Sequence, residues 1–106
     1  MPKYLCKVRY SVEGLNGVRK EGGTARAEVA RKLFESFGAT MHTFDFAFGD
    51  YDAYLLVEAP SNAAVAGAAT IVSAAGGATI ETVVLMSPAE VDEAVKVQAD
   101  YRRPGG

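Results

Sequence analysis

Three patterns in the 106-residue sequence predict an α+β fold. Four segments carry the alternating or β-branched apolar pattern of strands, and two segments between them carry apolar residues at helical spacing. The order reads β-α-β-β-α-β, and a final helical segment follows. The two central strands are joined by a short turn, which predicts a hairpin. Together these patterns predict a ferredoxin-like split βαβ sandwich with an added C-terminal helix.

The first half of the chain supplies two strands and one long helix. Residues 3–10 alternate between inward and outward side chains, as in a half-buried strand. A glycine-rich passage follows, with a short helical turn expected over residues 12–20. Thr24 is the predicted N-cap of a helix that stops at Gly38. Residues 40–48 alternate again and predict the second strand.

The second half of the chain supplies the remaining elements. The pattern predicts a strand over 53–59, a small-residue helix over 63–75 and a strand over 78–86. Ser87-Pro88-Ala89-Glu90 has the form of a capping box with proline at the first helical position, and it opens a helix predicted over 88–101. We expect a single domain over residues 1–100 and a flexible tail over 101–106.

Charge and composition exclude several classes of partner. The chain has 11 basic and 13 acidic residues, for a net charge of -2. Nucleic acid and anionic membrane surfaces both require a basic surplus, so neither is an expected partner. The start of the chain leads directly into a strand pattern, and the alanine-rich run 63–80 has too few large apolar residues to span a bilayer. We therefore expect a cytoplasmic protein.

The inventory of reactive side chains is small. One cysteine, Cys6, and one histidine, His42, are present. They exclude an intrachain disulfide, and one chain cannot supply the ligands of a closed zinc site. No cofactor loop or nucleophilic triad can be assembled, so neither a metal nor a cofactor is expected. Cys6 is predicted to be a small buried apolar thiol.

The hairpin pattern predicts the two faces of the sheet. A turn at residues 49–52 pairs Phe48 with Ala53, Phe46 with Leu55 and Phe44 with Val57, which defines a helix-covered face that also carries His42. The other face is predicted to hold Leu5, Lys7, Arg9, Met41, Thr43, Asp45, Ala47, Tyr54, Leu56 and Glu58. Half of these side chains are apolar or aromatic, so we expect a second copy of the chain to cover this face in a homo-oligomer, at least a dimer.

Four segments of the sequence resemble the GYD-domain proteins, a family of small bacterial and archaeal proteins. The turn Gly49-Asp50-Tyr51-Asp52 follows Ala47-Phe48, and the chain opens with Met1-Pro2-Lys3-Tyr4. The segment from Lys20 to Arg26 and the ending Leu85-Met86-Ser87-Pro88-Ala89-Glu90 are also similar to the family. The resemblance covers about residues 1–97. It implies a ferredoxin-like subunit of the dimeric α/β-barrel kind, and it implies no particular activity.

The hairpin and the single histidine supply the candidates for catalysis. Asp50 or Asp52 could act as a base, and Tyr51 could donate a hydrogen bond to a ligand. The alternative for the hairpin is plain turn chemistry, in which the glycine supplies an unusual backbone angle and the aspartates cap their own backbone. His42 is the only side chain whose ordinary pKa lies near neutral, and the alternative for it is a strand-end residue with one hydrogen bond.

A second candidate site is an anion site at the sheet end that carries the hairpin. Gly22 and Gly23 precede a helix, where free backbone N–H groups and the helix dipole favour an anion. The topology brings this helix entry near the end of the first strand. The predicted binding residues are Tyr10, Lys20, Gly22, Gly23, Arg26 and Tyr51. The alternative is a solvated basic connector.

A third candidate lies on the helix-free face of the sheet. It consists of Lys7, Arg9, Asp45, Tyr54 and Glu58. These side chains could line a cavity between subunits for a small polar or aromatic ligand, or they could form ion pairs between subunits.

Two functions remain open from the sequence. The first is an oligomeric protein that binds a small anionic or aromatic molecule as a sensor or accessory protein. The alternative is a cofactor-independent enzyme of the isomerase or monooxygenase type, which rests on analogy with other dimeric α/β-barrel proteins.

Overall fold

The computed structural model describes residues 1–106 and has one four-stranded antiparallel sheet. The strands are β1 (Lys3–Tyr10), β2 (Thr40–Phe46), β3 (Ala53–Glu58) and β4 (Ala78–Leu85), and the helices are α1 (Val12–Glu21), α2 (Gly23–Glu35), α3 (Asn62–Ala74) and α4 (Pro88–Ala94). The strand order is β2-β3-β1-β4. The predicted ferredoxin-like α+β fold is confirmed.

The core lies between one sheet face and helices α2 and α3. Alternate residues of β1 and β3 are buried against these helices, which is the period of a half-covered sheet. The buried core cluster consists of Tyr4, Cys6, Val8, Phe34, Ala39, Ala53, Leu55, Val57, Ala59, Val65 and Ala78, and Ala68 is buried as well. The Tyr4 hydroxyl donates to the Asn62 side chain at 2.6 Å, so the phenol of this buried ring is satisfied at the start of α3.

The passage after β1 is more ordered than the glycine pattern indicates. It forms the ten-residue helix α1, capped by Ser11, whose side chain accepts from the Gly14 N–H. Gly22 has a φ of +89° and separates α1 from α2, a conformation that favours glycine. The prediction of Thr24 as N-cap is wrong, because Gly22 takes that position and Thr24 lies in the first turn of α2.

The predicted hairpin register is wrong by two residues. Phe46 lies opposite Ala53 and Phe44 lies opposite Leu55. The Ala47 N–H donates to the Asp52 carbonyl at 2.8 Å, so the turn covers residues 48–51 rather than 49–52. Because the shift is an even number, Phe44 and Phe46 keep the predicted face, whereas Phe48 is fully exposed in the turn.

A β-bulge in β2 overturns two further face assignments. Met41 lies opposite Val57 and Thr43 lies opposite Leu56, so His42 is the extra residue between them. Met41 therefore packs against the core rather than on the helix-free face of the sheet, here named the open face. His42 leaves the row of phenylalanines, and its Nε2 lies 3.6 Å from Glu58 Oε1.

The chain beyond β4 leaves the body of the domain. Helix α4 ends at Ala94, so the predicted helix over 88–101 is half as long as expected. Every residue from Met86 to Gly106, here named the C-terminal arm, is exposed. An isolated helix of this length has little stability of its own, which explains why α4 stops early without a surface to pack on. The proposed boundary between domain and tail near residue 100 stays a prediction.

None of the four helices has the length and apolar character that a membrane crossing requires.

Candidate ligand-binding site

An apolar cavity of about 50 Å³ lies between the covered sheet face and helices α2 and α3. The sheet contributes Cys6, Val8, Phe44, Leu55 and Ile80, and the helices contribute Ala30, Leu33, Ala68, Ala69 and Val72. The alanines explain the space, because short side chains on both helices face the sheet where larger ones would fill the layer. Of the 17 lining residues, 15 are hydrophobic, so the interior favours an apolar group.

Tyr10 and Arg26 form the mouth of this cavity. Both also line an outer cleft of about 300 Å³ between α1, α2, α3 and the start of β4. The inner cavity and the outer cleft share four lining residues, Tyr10, Arg26, Val72 and Ala78, so the polar groups where they meet are a phenol and a guanidinium. A ligand that enters from the cleft must pass these two groups.

The outer cleft depends on a close approach of α1 to the loop before β4. A Cβ built on Gly14 would lie 2.0 Å from the carbonyl oxygen of Gly77, which no side chain can tolerate. Ser11 strengthens this contact, since its hydroxyl donates to the Gly76 carbonyl at 2.9 Å and its N–H donates to the Gly77 carbonyl at 3.0 Å. Glycine at position 14 thus lets α1 form one wall of the cleft.

Arg26 is the group at the mouth that can bind an anion. Arg26 is the only cationic side chain lining the inner cavity or the cleft. Its Nη1 lies 3.7 Å from Oε1 of Glu21, which also lines the cleft, so a bound anion must compete with this partly exposed ion pair. A carboxylate that displaced Glu21 would reach a guanidinium whose fork suits two oxygen atoms.

Apart from Arg26, the cavity wall contains two titratable groups, Tyr10 and Cys6, and both are held in their neutral form. Burial raises the pKa of the Tyr10 phenol, and the charge and hydrogen bond of Arg26 only partly oppose that effect. Burial also raises the pKa of the Cys6 thiol, against a hydrogen bond with Thr82. Tyr10 is therefore a hydrogen-bond donor near neutral pH, and neither group is a strong base or nucleophile there.

The structure brings together only part of the predicted anion site. Tyr10 and Arg26 meet at the cavity mouth, and Gly23 packs closely on the Phe46 ring. The Gly22 N–H donates to the Val18 carbonyl at 2.8 Å and is not free for an anion. Lys20 is exposed on α1 and lines neither the cavity nor the cleft.

The hairpin aspartates serve the architecture of the sheet. The Asp52 carboxylate accepts the Tyr10 backbone N–H at 2.8 Å, and the Asp52 N–H donates to the Val8 carbonyl at 2.8 Å. The Asp50 carbonyl accepts from Arg9 Nε at 3.0 Å. These bonds fasten the turn to the end of β1, and they join residues far apart in sequence rather than the aspartates to their own turn.

Tyr51 lies on the open face of the sheet, away from Tyr10 and Arg26. Lys7 Nζ is 4.8 Å and Arg9 Cζ is 5.1 Å from the centre of the Tyr51 ring, and the Tyr54 ring is 6.1 Å away. These are cation–π and edge contacts. The predicted anion site is thus divided between two faces of the sheet.

Glu81 lies on the open face in the same group of side chains as Tyr51 and Lys7. The sequence did not lead us to expect it there. It accepts from the Tyr51 hydroxyl, and its Oε1 lies 3.4 Å from Lys7 Nζ. The signal was available, because alternation along β4 with β1 as neighbour places Glu81 opposite Lys7. Asp45 lies opposite Tyr54, and Glu58 lies opposite Lys3.

The four candidates for catalysis are not gathered in one place. His42 pairs with Glu58 at the far end of β2 from the hairpin that carries Asp50, Tyr51 and Asp52. The structure brings no three side chains of the His, Cys, Asp and Glu types close enough to hold a metal ion.

Comparison with known proteins gives one match. The family model described as the GYD domain matches residues 4–95 of the chain. No curated protein and no solved structure matches it.

Proposed function

This chain belongs to the GYD domain family, and we propose that it is an oligomeric binding protein for a small amphipathic anion. The cavity between the sheet and the helices takes the apolar part of the ligand, and Arg26 takes its carboxylate or other anionic group. The single observation that carries the proposal is a cavity whose wall is almost entirely apolar and whose mouth has one cation beside a neutral phenol.

The dimensions of the site limit the ligand. A cavity of about 50 Å³ accommodates about four water-sized positions, enough for a short branched chain or part of one ring. The anionic group and any further polar atoms lie in the larger outer cleft, where Tyr10 donates a hydrogen bond. Small aromatic or branched aliphatic carboxylates fit this division, whereas long fatty chains exceed it.

Binding without chemistry is favoured over catalysis by the protonation of the site. The phenol and the thiol in the cavity wall both have a raised pKa, so neither supplies a base near neutral pH. The alternative, a cofactor-independent isomerase or monooxygenase, draws support only from Tyr10, whose neutral phenol beside Arg26 suits a proton donor. We therefore propose a sensor or accessory role as the function.

The oligomeric part of the proposal rests on the open face of the sheet. Leu56, Leu5 and Val83 lie side by side across three strands and form one apolar row, which Thr43 extends onto the edge strand β2. Charged rows flank it, with three acidic and three basic side chains in all: Asp45, Glu58, Glu81, Lys3, Lys7 and Arg9. An apolar centre with a balanced charged rim suits a second copy of the same surface.

Titration calorimetry with short carboxylates tests the ligand site. The probes are phenylacetate, isovalerate and hexanoate, and the variants are Arg26→Ala and Lys20→Ala. Removing a charged hydrogen bond costs about 1.5–3 kcal/mol, so Arg26→Ala should weaken binding of the best probe by about 10- to 150-fold. Lys20→Ala is the matched control, since this basic side chain lies one helix away and lines neither space.

The apolar part of the site has its own variant. Ala69→Leu on α3 adds three carbon atoms at the cavity wall and should abolish binding while the circular dichroism spectrum stays native. Equal affinity of Arg26→Ala and the native chain, or binding that Ala69→Leu leaves unchanged, would show that the ligand does not occupy this cavity.

Light scattering tests self-association. The native chain at 50 µM should have twice the 11.2 kDa mass of one chain. Leu56→Glu, in the centre of the apolar row, should give a monomer. A charge at the half-buried Leu56 also destabilises the single domain, so Thr43→Arg is used beside it. Thr43 is already exposed in the single chain, so a charge there is costly only at an interface.

A further inference from the structure

The C-terminal arm contains a strand pattern without a strand partner. After α4 ends, the segment Val97–Arg102 has no regular structure, and its residues alternate between apolar and polar. Val97, Ala99 and Tyr101 are the apolar members, and Gln98, Asp100 and Arg102 are the polar ones. Val97 is 76% and Tyr101 is 82% exposed. Such alternation is typical of a strand with one covered face, and six residues is an ordinary strand length.

The sheet has a free edge at strand β4 to which a further strand can be added. β4 pairs only with β1, so one row of its backbone groups has no partner. It is eight residues long, regular in register and free of proline, whereas the opposite edge strand β2 is interrupted by the bulge at His42. A long regular edge is a template for strand addition, and most folds cover or interrupt it.

An apolar groove runs beside this edge on the helix side of the sheet. Six of its eight lining residues are hydrophobic, namely Tyr4, Val65, Ala66, Ala69, Ile80 and Val84, and the other two are Asn62 and Thr82. Val84, which lies beside Tyr4 in the sheet, is 53% exposed and contributes to this groove. A strand added at β4 would place every second side chain over this groove, which is where the apolar members of the segment Val97–Arg102 belong.

The arm leads away from its own sheet. Only two residues separate β4 from α4, and the capping box formed by Ser87 and Glu90 sets the direction of that helix. The hydrogen bonds of the arm all lie within the arm. The radius of gyration is 17.0 Å, against about 13 Å for a compact chain of this length. A second copy of the chain is the surface that such an outward arm can reach.

We propose that Val97–Arg102 of one chain pairs as a fifth strand with the β4 edge of a second copy, and that the second copy returns its own arm in the same way. The proposal rests on the self-association proposed above, and it adds a second contact surface to it. Reciprocal exchange closes the dimer with two-fold symmetry and covers both exposed edges, so the pairing does not continue into fibres.

Proline variants test the pairing, because proline removes a backbone donor and leaves the rest of an irregular segment unaffected. Successive N–H groups of a strand point to opposite sides, so one of two adjacent positions must face the β4 edge. Gln98→Pro is compared with Gln98→Ala, and Ala99→Pro is compared with the native chain, which already has alanine there. Sedimentation equilibrium gives the dimer dissociation constant of each.

At least one proline variant should raise the dissociation constant by about ten-fold or more, since the lost ladder bond leaves a buried acceptor unpaired. Gln98→Ala should remain within two-fold of the native chain. Hydrogen exchange in the native dimer should show slow amides between residues 97 and 102, and dilution to the monomer should release them.

Three results would overturn the inference, and they are distinguishable. A native chain that is monomeric at 50 µM would refute self-association itself. A dimer whose arm amides exchange freely, with both proline variants at native affinity, would refute the arm while leaving the sheet-face dimer intact. Protected arm amides in the diluted monomer would show that the segment pairs within its own chain.

Discussion

Gly14 and Gly17 lie on the same helix, α1. Replacing each of them with alanine should change the free energy of unfolding in opposite directions. A Cβ at position 14 would lie 2.0 Å from the Gly77 carbonyl oxygen, which is backbone and cannot rotate away. A Cβ at position 17 has nothing within 4 Å. Both substitutions by alanine gain helix propensity, about 0.8–1.0 kcal/mol per site. Only Gly14→Ala must also push α1 away from the loop before β4.

The magnitude follows from these two opposing effects. Overpacking against a fixed neighbour costs about 1–3 kcal/mol, and displacement of α1 also stretches the Ser11 hydrogen bonds to Gly76 and Gly77. Gly14→Ala should therefore lower the free energy of unfolding by up to about 2 kcal/mol net. Gly17→Ala should raise it by about 0.5–1 kcal/mol.

Urea unfolding followed by circular dichroism measures both variants against the native chain. The pair is informative because the chemical change and the helix are identical, so any difference reports the contact with Gly77. If Gly14→Ala were as stable as Gly17→Ala, the close approach of α1 to that loop would be refuted. The outer cleft, which uses this approach as one wall, would then lose its shape as well.

Two further predictions concern the register and the thiol. Phe48→Asp should change the free energy of unfolding by less than about 0.5 kcal/mol, because Phe48 is fully exposed in the turn. A loss of about 3–5 kcal/mol is the usual cost of removing a core phenylalanine, and it would support the register in which Phe48 faces Ala53. Burial raises the pKa of the Cys6 thiol above its ordinary value of 9.0, so the unfolded chain loses that proton first and stability should decline as pH rises beyond about 9. Chemical denaturation of the native chain and of Cys6→Ala between pH 7 and pH 10 measures this decline, and an equal decline in both would assign it to other groups, Tyr10 first among them.

Local patterns of side chains were sufficient for the order of elements and for most of the sheet faces. The alternation of Tyr4, Cys6 and Val8 with Leu5 and Lys7 describes β1 correctly, because successive side chains of a strand point to opposite sides whatever its neighbours are. The capping box at Ser87 also stands as predicted, since its hydrogen bonds join residues three apart. Such features depend on neighbours in sequence.

The sequence alone could not supply the contents of the candidate site. Tyr10 and Arg26 were expected together, yet Tyr51 was assigned to the same site and lies on the opposite face of the sheet. The bulge at His42 and the two-residue register shift depend on which backbone groups of β3 are within reach of β2. At the hairpin end, Asp52 is bonded to Tyr10 and Val8 of β1, which are distant in sequence. No local pattern in β2 shows where the bulge lies or which register the strand takes.

By itself, then, the sequence determined the α+β class, the order of strands and helices, and the apolar face that each of β1 and β3 presents. Only the tertiary structure decided where the cavity lies, which cation stands at its mouth, and that the chain after β4 leaves the domain. The physical reason is the separation in sequence of the residues that determine each feature. Periodicity and capping are set by residues a few positions apart, whereas a cavity is the space that alanines on α2 and α3 leave above a sheet built from distant segments.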